Sequence, residues 1–306
     1  MSQKISNWSE YNKSLINRGS LTFWVSEDVL KVWASDKKTH KAGRPEKYSD
    51  SAIKAVCMVR FFFHLSLRAT EGFISSLFKL MNITLETPSY SRISRRMNRL
   101  DIDYRKLSSS KPKHLVIDST GVKIYGDGEW HEKIHGESRR KKWKKMTLGV
   151  CPETHEILFN VTSDDSIGDI SLFKMGLEIV PKSVKEVLMD GAGDTHDTYK
   201  QAERQNIKII TPPRKGSKYR IGKEKTARDT AVKFIYEHGN NEEALKEWKR
   251  RSGYHKRSLV ETAISRLKGL LGNTLKSRTL MNQHQEMLIK SLIINQVNRL
   301  GLPVRA

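Results

Sequence analysis

The order of hydrophobic and polar positions divides the chain into a helical first part and a mixed second part. From residue 49 to residue 80, apolar side chains are dense enough for two largely buried helices, and Ser49 or Asp50 can cap the first of them. A break at Asn82 and Pro88 follows, and residues 89–100 then return to helical spacing. The polar segment 108–113 ends this part, so we place a domain boundary there.

Beyond that boundary the apolar runs become short and strand-like. They predict three antiparallel strands, a helix, a strand, a helix, a strand, an insertion at about residues 211–250, and two final helices. The first predicted strand is the apolar run 114–118, which ends in an acid and is followed by a second run at 122–125; the other strands lie in residues 146–151, 157–161, 184–189 and 207–210. The helices are predicted in residues 169–179, 195–205, 254–268 and 285–300. The sequence therefore predicts an α/β fold, in which a helical region at 1–110 precedes a mixed-sheet domain at 111–306.

The charge of the chain narrows the classes of partner. Lysine and arginine number 56 against 34 acidic residues, which gives a formal net charge of +22. Such a chain attracts polyanions, and nucleic acid is the expected partner. A membrane is not expected, because no apolar run approaches the length of a spanning helix and the first residues lack the pattern of a signal peptide. Cys57 and Cys151 give no disulfide framework, which favours a reducing, cytoplasmic compartment.

Four arginines fall on one face of the helix predicted at residues 89–100. Arg92, Arg95, Arg96 and Arg99 are spaced at i, i+3, i+4 and i+7, and cations in this arrangement repel one another unless an anion faces them. A helix, a turn and then an arginine-rich helix resembles a helix-turn-helix with a recognition helix. The alternative is a solvated basic face, but the charge of the whole chain favours contact with DNA.

Two basic segments are further candidates for DNA contact. Arg44 lies in a Gly-Arg-Pro sequence that can place an arginine in a narrow minor groove, although a basic linker would look the same. Residues 139–145 place cations, among them Arg140 and Lys142, around Trp143. Cations can bind phosphates while an aromatic ring stacks on a base, whereas a solvated loop is the alternative interpretation.

Three acidic residues are candidates for chemistry. Asp118 and Asp190 each end a predicted strand, and Glu261 lies on the helix predicted at residues 254–268. If the first and fourth strands are neighbours, the two aspartates come together and a helix packed on the sheet can add the glutamate. Three converging carboxylates repel one another unless a cation is present, and oxygen ligands favour hard ions such as Mg²⁺ or Mn²⁺. Two such ions, roughly 3.5–4 Å apart, support displacement at a phosphodiester.

On that predicted helix, Tyr254, Arg257, Glu261 and Lys268 fall within about 60° of one another. A different face, which can pack on a core, carries the apolar residues Val260, Ala263, Ile264, Leu267 and Leu271. A charged surface helix is the alternative interpretation of this face. The residues DST at 118–120, DGAGDT at 190–195 and the Y-x2-R-x3-E-x6-K pattern resemble the DDE transposases of bacterial insertion sequences, of the IS5 family and its IS903-like group. GSLTFWVSED at 19–28 and GRPEKYSDSAIKA at 43–55 resemble the N-terminal region of the same group.

The resemblance implies an RNase H-like catalytic domain in which Asp118, Asp190 and Glu261 hold two Mg²⁺ ions, with Mn²⁺ able to substitute. It implies an enzyme that cleaves transposon ends and joins the exposed 3′-hydroxyl to target DNA, with Tyr254, Arg257 and Lys268 holding DNA near the cut bond. The implied partners are double-stranded DNA, both ends and target, and further copies of the chain, as a homodimer or larger synaptic complex. The implied location is the bacterial cytoplasm, at the nucleoid.

Two other functions stay open at this point. A non-catalytic DNA-binding regulator would need the arginine face and no metal, and its mark would be a missing acid, which this chain does not show. An RNase H-like nuclease would cut without joining. The arginine-rich helix favours binding to particular ends and therefore argues against that nuclease.

Overall fold

The described residues of the chain fall into two units. The computed structural model describes residues 4–35, 45–103, 111–125, 143–164, 166–219 and 226–304. One unit is Met1–Tyr104 with Ser277–Ala306, and the other is Arg105–Lys276. Residues 277–306 thus group with the N-terminal part, whereas the sequence had placed them in the second domain. The division into a DNA-binding and a catalytic domain stays a prediction.

The first unit is helical, as the sequence predicts. Its helices are α1 (Trp8–Asn17), α2 (Leu21–Trp24), α3 (Glu27–Lys31), α4 (Asp50–Phe62), α5 (Leu67–Leu80), α6 (Tyr90–Met97) and a C-terminal helix (Leu280–Leu300). Ser49 caps α4 as predicted, since its hydroxyl accepts from the Ala52 N–H at 3.0 Å. The C-terminal helix joins this unit because it packs on α4 and α1.

Helices α4, α5 and α6 pack against one another. Ile53 and Val56 of α4 and Ile93 and Met97 of α6 are buried in their shared core. The short turn of this group joins α4 to α5, and a longer connection, residues 81–89, precedes the arginine-rich α6.

The second unit is built on a mixed six-stranded sheet with the order β3-β2-β1-β4-β5 and β6 on β1. Its strands are β1 (His114–Ile124), β2 (Trp143–Val150), β3 (Ile157–Asp164), β4 (Glu186–Leu188), β5 (Lys208–Ile210) and β6 (Thr274–Leu275). The first three strands pair antiparallel, while β1, β4 and β5 pair parallel. This is a mixed sheet, as the sequence predicts, and its first and fourth strands are neighbours.

Helices cover the sheet and form the insertion. They are α7 (Asp169–Ile179), α8 (His196–Arg204), α9 (Ala227–Glu237), α10 (Glu242–Arg251) and α11 (Ser258–Leu271). Helix α7 packs closely on the sheet because the Phe159 ring lies against Gly149 and Gly176, where a Cβ would stand 2.2 Å and 2.5 Å from ring atoms. Helices α9 and α10 lie within the predicted insertion. No helix in the described ranges is both long and apolar enough to cross a membrane.

One expectation about β1 was wrong. The sequence predicted that Asp118 ends the first strand, but β1 runs on from His114 to Ile124 through Asp118. The polar residues 118–120 continue the strand because β2 pairs with β1 along this stretch. The partner strand β4 is shorter, and its pairing with β1 stops at Val116 and Leu188. Asp118 therefore lies just beyond the point where that pairing ends.

Candidate active site

The sheet brings Asp118 and Asp190 to the same level. Val116 pairs with Leu188 in the parallel register, so a step of two residues along each strand reaches Asp118 and Asp190. Both aspartates line one cavity of about 240 Å³. Asp190 ends its own extended segment, and its Oδ1 accepts from the Ala192 N–H at 3.0 Å. The parallel pairing of β1 and β4 thus supplies the first half of the site.

Helix α11 and the turn before it supply the second half. Val260, Ala263, Ile264, Leu267 and Leu271 are buried, as the sequence predicts, and α11 packs on β1 and β2. The residues before α11 differ from the expected single helix, because Tyr254–Arg257 forms a 3-10 turn. That turn lies against β1 and β4. It therefore places the Arg257 side chain beside the aspartates and not only along a helix face.

Arg257 joins two of the three predicted acids. One guanidinium nitrogen, Nη1, donates to Asp118 Oδ2 at 3.2 Å, and the other, Nη2, donates to Glu261 Oε1 at 2.6 Å. A planar guanidinium is suited to such a bridge, whereas an ammonium is a point charge. The chain thus holds a cation between Asp118 and Glu261.

The carboxylates act on one another electrostatically. Burial raises the pKa of the Asp118 carboxyl, and the negative charges of Asp190 and Glu261 raise it further. The Ser119 N–H, which donates to Asp118 Oδ1 at 2.9 Å, and Arg257 oppose this rise. Burial also raises the pKa of Tyr254 to about 12, and all three acids contribute to that rise. The phenol is therefore neutral and able to donate a hydrogen bond near the carboxylates.

Lys268 reaches the same strand from α11. Its Nζ donates to Thr120 Oγ1 at 2.6 Å, two residues along β1 from Asp118. Burial lowers the pKa of this lysine, because a partly buried ammonium loses hydration. The four residues of the Y-x2-R-x3-E-x6-K pattern therefore share one region of the second unit with the two aspartates.

Sequence reasoning missed Asp169, at the start of α7, which lines the cavity with Asp118 and Asp190. Its Oδ1 lies 3.3 Å from Nζ of Lys145, a cation of the predicted basic segment 139–145. The only sequence signal of Asp169 is an acidic residue at a helix start, which is common on any surface. Trp143, a predicted DNA contact, also lines this cavity and is 37% exposed, with its ring against Gly121.

The donor set has the chemistry that a divalent metal needs, since all three acids offer carboxylate oxygens. Within the described ranges, however, no group of three acidic, histidine or cysteine side chains converges closely enough to hold an ion. Asp118 and Glu261 influence each other electrostatically but do not converge on one point, because both side chains contact the Arg257 guanidinium that lies between them. A metal at this site would take the place of those contacts.

The arginine face of α6 is not uniform. Arg95 and Arg99 are exposed, and Arg92 lies over the ring of Tyr48 at 5.5 Å. Arg96 is instead buried, with Nη2 at 2.6 Å from Asp50 Oδ1 and 3.1 Å from Glu46 Oε2. Helical spacing alone suggested one stripe, but the packing of α6 on α4 turns Arg96 inward. Arg96 therefore stabilises the first unit and does not belong to the exposed face.

We expect Arg96→Ala to destabilise the protein by about 2–3 kcal/mol, because it leaves buried acceptors and two carboxylates without their donor. Arg99→Ala is the matched control, and we expect a change within about 0.5 kcal/mol for this exposed side chain. Chemical denaturation followed by circular dichroism measures both. Equal stability of the two variants would show that the Arg96 ion pairs do not hold α6 on α4.

Three predicted DNA contacts, Arg44, Arg140 and Lys142, lie outside the described residues. The structure therefore gives no position for them.

Comparison with known proteins identifies a family for most of the chain. A family model described as "Transposase DDE domain" matches residues 109–296, and a second with the same description matches residues 16–127. The first of these stretches, 109–296, spans more than half of the 306 residues and contains the three acids.

Several solved structures are similar to the chain at low identity. A piggyBac transposase synaptic complex with hairpin DNA is 11% identical over 97% of this chain and 76% of that chain, with a TM-score of 0.42. The Drosophila P element transposase strand transfer complex is 12% identical over 89% and 84%, with a TM-score of 0.33. A pre-cleavage Mos1 transpososome is 12% identical over 76% and 82%, with a TM-score of 0.24.

Proposed function

The chain belongs to the transposase DDE domain family, and from this premise we propose that it binds the terminal inverted repeats of its element, cleaves the ends and joins the 3′-hydroxyl to target DNA. The substrate is double-stranded DNA, as transposon end and as target. The observation that supports this most strongly is that Asp118 and Asp190 line one cavity while Arg257 bridges Asp118 to Glu261. Both reactions are in-line attacks at phosphorus, so one set of residues can serve both.

In this proposal Asp118, Asp190 and Glu261 hold the metal, as two Mg²⁺ ions for which Mn²⁺ can substitute. When bound, such ions activate a hydroxyl nucleophile and stabilise a leaving oxygen. Arg257, Tyr254 and Lys268 orient DNA phosphates at the carboxylates. Arg257 can bind two phosphate oxygens, Lys268 supplies a point charge, and Tyr254 supplies a neutral donor.

Arg92 and Arg95 of α6 and Arg99 just after it are proposed to bind the element ends, and Arg44, Arg140, Lys142 and Trp143 to add contacts. The net charge of +22 supports this binding. The motifs at 19–28, 43–55 and 254–268 support a place in the IS5 family, IS903-like group. Membership of that group would be consistent with a bacterial, nucleoid-associated protein. Such a protein would pair two element ends as a homodimer or larger assembly.

The decisive experiment offers the purified chain DNA that carries the inverted repeats flanking its coding sequence, together with a supercoiled target plasmid. We expect cleaved ends and joined products with Mg²⁺ or Mn²⁺, and neither with EDTA. Binding without cleavage under every condition would identify a non-catalytic regulator. Cleavage without joined products would identify a nuclease.

A further inference from the structure

A short basic loop lies next to the site and has no role in the proposal above. We call residues 214–218 the basic loop; they are Arg214, Lys215, Gly216, Ser217 and Lys218. The loop follows β5, which pairs parallel with β4 through Leu188 and Ile210. Because parallel strands end at the same edge of a sheet, the loop leaves β5 at the edge where Asp190 follows β4.

Two hydrogen bonds connect the segment after β5 directly to the segment that carries Asp190. The Thr211 hydroxyl donates to the Asp190 carbonyl oxygen. The Arg214 backbone N–H donates to Asp194 Oδ2 at 2.8 Å. The start of the basic loop is therefore held to the stretch 190–194.

An ion pair between the buried Asp194 and the partly exposed Arg228 holds the other end of the loop. The Asp194 side chain is fully buried, and its Oδ1 accepts from Arg228 Nε of α9 at 2.8 Å. Arg228 Nη2 donates to Ser217 Oγ at 2.9 Å, and Ser217 Oγ donates to the Arg214 carbonyl oxygen at 2.7 Å. Gly216, with φ of +83°, permits this closed turn. A carboxylate with no solvent contact thus fixes both ends of an exposed loop.

The loop presents three cations to solvent. Arg214, Lys215 and Lys218 are all exposed. As far as the structure describes the chain, none of the three forms an ion pair with a carboxylate, and the guanidinium of Arg214 has only a 3.5 Å contact, to the Ala192 carbonyl oxygen. Cations fixed on so short a loop repel one another, and a row of phosphates relieves that repulsion.

We propose that the basic loop, which the contacts of Asp194 hold in place, binds the phosphate backbone of the element-end DNA beside the cut bond. This inference rests on the proposed function, because it takes Asp118 and Asp190 as the place of cutting.

The test compares two triple variants that each remove three positive charges. Arg214→Ala/Lys215→Ala/Lys218→Ala removes the loop cations. The control, Lys113→Ala/Lys182→Ala/Lys185→Ala, removes exposed lysines just before β1 and β4, at the opposite edge of the sheet from Asp190. Affinity for an end duplex is measured by fluorescence anisotropy over a series of salt concentrations. Thermal unfolding shows that each variant folds.

We expect the loop variant to lower the slope of log affinity against log salt by about 2–3, because each phosphate contact contributes about 0.9. The control should lower the slope by less than about 1. Equal losses in the two variants, no loss in the loop variant, or a defect confined to target joining would each overturn the inference. Each of these results would refute only the role of the basic loop, provided that the unsubstituted chain cleaves and joins the DNA. If the unsubstituted chain does neither, the proposed function itself is refuted.

Discussion

Glu261→Ala is expected to reduce end cleavage by at least roughly 10³-fold, which corresponds to about 4 kcal/mol of transition-state stabilisation. The reason is that Glu261 supplies one of the three carboxylates of the site and contacts Arg257, which also contacts Asp118. Binding of the ends should remain measurable, because the exposed arginines of α6 lie in the other unit. Cleavage assays and gel shifts on the same end duplex measure the two effects.

Glu203→Ala is the matched control for this substitution. Glu203 is an exposed acid of α8 in the same unit and has no contact with the site residues that the structure describes. We expect the control to cleave normally. Normal cleavage by Glu261→Ala would show that Glu261 is not a ligand, and a loss of both binding and cleavage would point to a structural role.

Arg257→Ala is expected to change metal binding and cleavage in opposite directions. Arg257 contacts both Asp118 and Glu261, so a metal held by these carboxylates would compete with its guanidinium. Removing this competitor should raise the affinity for Mn²⁺ about tenfold, or about 1.4 kcal/mol. Cleavage should fall by roughly 10²-fold, because a donor to the reacting phosphate is lost. Isothermal titration with Mn²⁺ and a cleavage assay measure the two changes.

Arg257→Lys should give a Mn²⁺ affinity and a cleavage rate between those of the unsubstituted chain and those of Arg257→Ala, since one ammonium cannot bridge both carboxylates. Arg251→Ala is the control, because Arg251 pairs with Glu247 on α10 at an exposed site. We expect it to alter neither measurement. Weaker Mn²⁺ binding by Arg257→Ala would mean that the arginine organises the carboxylates for the metal and does not compete with it.

Much of the second unit followed from local pattern. The short apolar runs predicted β1 to β5 in the correct order. The sequence left the first and fourth strands as possible neighbours, and the pairing of β1 with β4 shows that they are. The buried face of α11 was also predicted residue by residue. Such features are determined by spacing along the chain, because strand and helix periods decide which side chains share a face.

Three features could not be predicted in that way. The continuation of β1 beyond Asp118 depends on its partner β2, which supports a polar stretch that would not form a strand alone. The inward turn of Arg96 depends on Asp50 of α4, 46 residues away in the chain. The grouping of the C-terminal helix with the first unit depends on which apolar faces meet.

The sequence by itself determined the chemical inventory of this protein: a strongly basic chain, the succession of helices and strands, and three acids within the stretch that the transposase DDE domain model matches. Only the tertiary structure decided that Arg257 lies between Asp118 and Glu261, and that Asp194 is buried beneath the basic loop. The physical reason is the distance along the chain. Periodicity and composition report on residues that are close in sequence, whereas Arg257 and Asp118 are 139 positions apart and Arg214 and Asp194 are 20 positions apart. Sheet pairing and burial determine which of such distant residues meet.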